Sequence, residues 1–164
     1  MEEPLLDFLG VVMVPGITET FAAKDKFVMG EETNISLVGG DFWEYVLSEA
    51  AEEPSEPSSE EAIGYADTRL PLADIQIVAQ IAAKVGELPV VVKSSQIFAI
   101  VKTYWRVLLT DGRPNVFWVS RGVRGAKGAK AVSIRRSGEG WNIGMRPLRS
   151  TGKRCAGCRV FFPG

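Results

Sequence analysis

Apolar residues fall in short runs along this 164-residue chain, and the runs differ in period. Leu9–Val14 is a continuous apolar stretch closed by Pro15-Gly16, which predicts a buried strand ending in a turn. Phe27–Met29 and Ile35–Val38 are separated by Gly30-Glu31-Glu32 and stopped by Gly39-Gly40, the pattern of two further strands in a small antiparallel meander. Asp41 and Glu44 then make an Asp-x-x-Glu capping box, so a helix is predicted from about Phe42 to Glu52, with packing as its role.

A second helix opens at Pro71 with Leu72-Ala73-Asp74 and carries Ile75, Ile77, Val78, Ile81, Ala82 and Val85 before Gly86, a suitable terminator. Those apolar positions cover more than one stripe, which predicts a central helix packed on two sides. Leu88–Val92 reads as an interior strand, whereas Gln96–Val101 suits strand and helix equally. Tyr104–Leu109 and Val116–Val119 flank the turn cluster Asp111-Gly112-Arg113-Pro114 as a predicted hairpin, and alternation within these strands sends one aromatic neighbour of each pair to the core. Ala131–Arg135 and Trp141–Met145 form a second hairpin about Ser137-Gly138-Glu139-Gly140.

The resulting fold class is α+β: small antiparallel sheets, two packed helices and a C-terminal β-meander carrying a basic, glycine-rich loop. Residues 1–150 form one domain on this reading, and residues 151–164 a basic C-terminal tail. Glu52–Glu61 has two prolines and no apolar side chain, so it is expected to be an exposed acidic loop at 52–61.

Composition narrows the chemistry mostly by exclusion. At 46% hydrophobic residues the chain can bury a core without staples. Met1-Glu2-Glu3-Pro4 lacks the basic start of a secretory signal, and Lys93 and Lys102 interrupt apolar stretches far short of a membrane span. Cys155 and Cys158 do not make a disulfide framework, so a reducing, intracellular setting is expected.

The absence of histidine excludes Ser-His-Asp and Cys-His nucleophiles and histidine-ligated zinc. The two cysteines supply half of a structural zinc site, so unligated thiols, with no metal or cofactor, are expected. No phosphate-cradling Gly-x-x-x-x-Gly-Lys or dinucleotide-binding Gly-x-Gly-x-x-Gly occurs. Asp41 with Glu44, or Asp111 with Glu139, could serve as carboxylate pairs, but nothing beyond nearby turns marks either, and enzymatic activity ranks third.

Charge adds the main functional signal. Residues 1–68 hold sixteen acids against Lys24 and Lys26, a net of −14, whereas residues 69–164 hold seventeen bases against four acids, a net of +13. The densest basic part contains Arg121-Gly-Val-Arg124-Gly-Ala-Lys127-Gly-Ala-Lys130, a cation every third position with glycines between. Glycines let backbone approach a phosphate chain closely, and spaced cations neutralise successive phosphates.

The expected function is nucleic-acid or other polyanion binding, DNA or RNA, through Arg121, Arg124, Lys127, Lys130, Arg135 and Arg136, with Arg149, Lys153 and Arg154 as an auxiliary tail. The strand–glycine–basic-loop arrangement resembles many RNA- and DNA-binding β modules, although the basic-glycine-aromatic run of an RNA-recognition motif is absent. The alternative is an assembly or interaction subunit, in which the acidic part of one copy meets the basic part of the next as a homo-oligomer. A third possibility is that the two halves pair within one molecule, or that the acidic loop shields the basic region.

Overall fold

The computed structural model describes residues 5–14, 27, 29–30, 35–39, 61–86, 92, 94–119, 130–138, 140–147, 153–154 and 156–163, by backbone alone at 85, 94, 130, 146, 147, 153 and 154. In chain order the elements are β1 (Leu6–Val14), β2 (Ile35–Val38), β3 (Glu61–Thr68), β4 (Leu72–Ala73), α1 (Asp74–Val85), α2 (Ser94–Lys102), a 3₁₀ turn (Trp105–Val107), β5 (Asn115–Val119), β6 (Lys130–Ser137), β7 (Gly140–Pro147), β8 (Lys153–Arg154) and β9 (Arg159–Pro163). Seven strands join in one mixed sheet of order β1-β3-β9-β5-β6-β7-β2, and β4 pairs with β8 beside it. The fold is therefore α+β and mostly strand. No helix among the described residues is long and apolar enough to cross a membrane.

The sheet is covered on both faces, and strand alternation explains how. In β5 every residue is buried: Phe117 and Val119 enter one apolar cluster, Val116 and Trp118 the other. Beneath α2, Ile97, Ile100 and Val101 join Phe117, Val132, Ile134 and Phe161. Beneath α1, Ile77 and Ile81 join Val116, Trp118, Val160 and Phe162. Both aromatic neighbours in β5 are consequently core residues, where one was expected.

Several other expectations change. Helix α1 starts at Asp74, the Ala73 N–H donates to Gln76 Oε1 at 2.9 Å, and Gly86 ends it in the left-handed region (φ 77°) as anticipated. It packs on one side only, however, since Ile75 is 60% exposed. The ambiguous segment Gln96–Val101 is helix. The predicted strand Tyr104–Leu109 is not one: Trp105–Val107 is a 3₁₀ turn, and β5 pairs instead with β6 and β9. The expected hairpin is present as β6–β7, with Ser137 paired to Gly140 at its turn.

At the N-terminal side, β2 pairs with β7 in parallel, so the expected antiparallel meander gives way to a mixed sheet. Of the predicted strand Leu88–Val92 only Val92 is described, its N–H donating to the Trp118 carbonyl at 2.8 Å. The predicted helix 42–52, the acidic loop short of Glu61, and the glycine-rich loop 121–129 lie outside the described residues.

Residues 159–163, placed by sequence in a basic tail, are instead an interior strand between β3 and β5. Val160 and Phe161 have no exposed surface. The strand β3, which sequence reading passed over, owes its place to the same pairing. Gly64 sits opposite Phe162, whose ring lies across the glycine backbone and meets Phe8 edge-on at 5.7 Å. A Cβ on Gly64 would stand 2.8 Å from Phe162 Cζ and closer still to Cε2. Gly64→Ala is therefore expected to destabilise the protein by about 2 kcal/mol through overpacking, measured by urea unfolding; a change below about 0.5 kcal/mol would show that the ring yields freely.

Folding also brings the two charge halves together. Acidic-half strands β1, β3 and β2 bracket basic-half strands β9, β5, β6 and β7. Ion pairs cross the division at Asp7–Arg69 (3.6 Å) and Asp67–Arg159 (2.8 Å).

Candidate functional site

The register of β5 with β6 fixes where the predicted binding residues lie. Val119 pairs with Lys130, so the connection 120–129 joins neighbouring strands at one end of the sheet. Arg121, Arg124 and Lys127 in that connection, and Arg149, lie outside the described residues, and Lys130, Lys153 and Arg154 are described by backbone alone. Arg135 and Arg136 were expected to extend the loop's patch. They lie five and six residues along β6, which at ~3.3 Å per residue is roughly 16 Å or more towards the opposite end. Being consecutive in a strand, they also point to opposite faces.

That opposite end collects the arginines whose side chains are described. It holds the N-terminal ends of β5 and β9, the C-terminal ends of β3 and β6, and the 3₁₀ turn. Asp67 and Arg159 are direct cross-strand neighbours, and the guanidinium grips the carboxylate through two bonds, Nε to Oδ1 at 2.8 Å and Nη2 to Oδ2 at 3.0 Å. Its remaining nitrogen, Nη1, donates to the Val107 carbonyl at 2.9 Å, and the group lies 5.5 Å from the Tyr65 ring centre. The Asp67 hydrogen bond raises the Arg159 pKa further above its ordinary value, so this arginine stays charged and fastens the 3₁₀ turn to the sheet.

Arg113 is similarly engaged. Its Nε donates to Asp111 Oδ2 at 2.8 Å and its Nη1 to the Gly157 carbonyl at 3.1 Å. Gly157 has φ 84°, and a Cβ there would meet Arg113 Nη1 at 2.5 Å, so both backbone shape and space call for glycine. The Arg113 N–H and guanidinium hold the Asp111 carboxyl below its ordinary pKa.

Asn115 anchors the approach to this end from inside. Fully buried, it donates from Nδ2 to the Leu109 and Ile134 carbonyls, each at 3.1 Å, and accepts the Leu109 N–H at 2.8 Å. The loop 108–114 is thereby tied to the first residue of β5.

Three arginines at this rim have no acid partner among the described residues. Arg106 is exposed and lies 5.8 Å from the ring centre of Trp105, which is itself 37% exposed. Arg135 is exposed on β6. Arg136 donates to the Gly138 carbonyl at 3.1 Å and covers the buried Trp141 ring at 5.0 Å. The other large aromatics of β5 and β7 pack inside: Phe117, Trp118 and Trp141 are at most 1% exposed. Trp105 is the exception, displaced outward because its segment turns instead of pairing.

Sequence reading missed Trp105, Arg106 and Arg113 as residues at the same end of the sheet as Arg135. The only local signal was the turn cluster at 111–114, which places a chain reversal there without saying which end of the sheet it meets.

Cys158 is fully buried, its N–H donating to Thr68 Oγ1 at 3.2 Å, and Cys155 lies outside the described residues. No cluster of three or more metal-ligating side chains occurs among the described residues. No protein-family model, curated protein or solved structure matches this chain.

Proposed function

We propose that the protein binds a polyanion, nucleic acid foremost, at the arginine-rich rim formed by Arg106, Arg135 and Arg136 with Trp105. The observation that carries this reading is selective engagement. Arg69, Arg113 and Arg159 are each held by an acid, whereas Arg106 and Arg135 stand exposed with no acid partner among the described residues. Cations held ready in this way attract phosphates, and the exposed Trp105 beside Arg106 offers a stacking face. The cations of 121–130, at the other end of β6, form a second contact region on this reading, and Arg149, Lys153 and Arg154 add to the field.

Two substitution sets separate the regions. One replaces Arg106, Arg135 and Arg136 by alanine; the other replaces Arg121, Arg124, Lys127 and Lys130. Binding to a labelled single strand and a labelled duplex is followed by fluorescence anisotropy from about 50 to 200 mM salt. The rim set is expected to lower affinity and to flatten the salt dependence by about two to three units of slope. Wild-type affinity and slope in both sets would remove the proposal.

A further inference from the structure

The two edges of the sheet differ in a way that the polyanion reading does not use. The edge strand β2 has four residues, an irregular register between Ile35 and Leu37, and a bridge from Ile35 back to Gly30. Short length and irregularity are the usual protections of an open edge, since they spoil it as a template. The edge strand β1 has little such protection. It runs nine residues, and Phe8-Leu9-Gly10-Val11-Val12-Met13-Val14 contains no charge and no proline.

Its bulge lies near the start, between Phe8 and Gly10, after which Gly10 to Val14 pair residue by residue with Tyr65 to Glu61 of β3. Alternation buries Val12 and Val14 and turns Val11 and Met13 outward, 59% and 45% exposed, and Leu9, the bulge residue, is 44% exposed. Among the described residues, no strand pairs with the outer edge of β1.

We infer that β1 pairs antiparallel with β1 of a second copy about a two-fold axis at Val11, joining two seven-stranded sheets into one. The occupant must be a strand, because what the edge offers is a row of backbone N–H and C=O groups. Self-pairing follows from the side chains. A two-fold axis at Val11 sets Val11 against Val11 and Leu9 against Met13 of the other copy, so every outward apolar side chain meets another.

Charge agrees. The uncharged stretch places no like charges opposite one another, and Asp7, the nearest charge on the strand, is already paired with Arg69. A charged partner would gain nothing here. The area sets the strength: a nine-residue edge covers a strip of roughly 30 by 10 Å on each copy, below the ~800 Å² per partner of a standard stable interface. The dimer therefore exchanges with monomer, and its share rises with protein concentration.

The test is sedimentation of the full chain over a concentration series at low and high salt, for the wild type, Val11→Lys and Val11→Thr. The wild type is expected to pass from monomer to dimer at either salt, because the contact is apolar and backbone-mediated. Val11→Lys should move the midpoint upward about tenfold or more, and Val11→Thr, which keeps β-branching, should leave it near wild type. Cysteine cross-linking reads the register independently of any effect on folding. Val11→Cys should form a disulfide-linked dimer with itself, and Met13→Cys only when mixed with Leu9→Cys.

Monomer at every concentration, an open-ended series of oligomers, a dimer that high salt dissolves, or Met13→Cys joining to itself would each overturn the inference. None of these results bears on the polyanion proposal, whose substitutions lie elsewhere.

Discussion

Phe161→Ala is expected to cost about 4 kcal/mol, and deletion of residues 159–163 to leave no cooperative unfolding transition. Phe161 has no exposed surface, stacks on Phe117 with ring centres 4.4 Å apart and planes 9° from parallel, and leans on Tyr65 at 5.9 Å. Alanine there opens a cavity bounded by two rings that the strands hold in place, so little collapse can refill it. The deletion does more, because β9 is the bridge between β3 and β5, and without it each keeps one partner only and the sheet is cut in two. Urea unfolding followed by tryptophan emission checks both, since Trp118 and Trp141 report from the two cores. A cooperative transition in the deletion variant, or a Phe161→Ala loss below about 1.5 kcal/mol, would contradict the placement of β9.

Asn115→Ala should cost about 3 kcal/mol. The side chain satisfies three backbone groups at once, Leu109 N–H, Leu109 C=O and Ile134 C=O, at a site with no access to solvent. Alanine cannot replace any of those bonds, and each group left unpaired in the interior carries a desolvation cost. Asn115→Asp is no remedy, since it removes both N–H donors and sets a carboxylate against two carbonyls. Hydrogen exchange gives a local readout: the Leu109 amide, slow in the wild type, should exchange much faster in Asn115→Ala even under conditions where the rest of the sheet stays protected. Unchanged protection at Leu109 would show that the loop 108–114 is held by something else.

What could be read beforehand depended on whether a segment's structure was decided locally. The β6–β7 hairpin has its turn residues and alternating apolar positions in one short stretch, and it is present as expected. The end of α1 was legible for the same reason, because Gly86 is the terminator that its left-handed backbone requires. β3 and β9 were not legible. Glu-Ala-Ile-Gly-Tyr-Ala-Asp-Thr is weak as an isolated strand, and Gly64 becomes favourable only once Phe162 lies across it.

Tyr104–Leu109 failed in the opposite sense. Its aromatic and β-branched residues favour a strand, yet the long-range Arg159 bond to the Val107 carbonyl, together with the Asn115 bonds to Leu109 six residues before it, sets a turn instead. The candidate rim inherits that limit. Arg135 was identified from charge alone, but its grouping with Arg106 and Trp105 depends on which end of the sheet each strand presents, and that is a property of pairing.

The insertion of β9 between β3 and β5 also constrains the order of events during translation. Until residues 159–163 have left the ribosome, the β1–β3 ribbon and the sheet built on β5, β6 and β7 have no strand to join them. Each part meanwhile shows an open edge, with Tyr65 on one and Phe117 on the other. Vectorial synthesis therefore cannot settle this fold from the N-terminus onward. Its decisive pairing waits on β9, the last of the described strands, which predicts slow folding and a period in which nascent chains need shielding from one another.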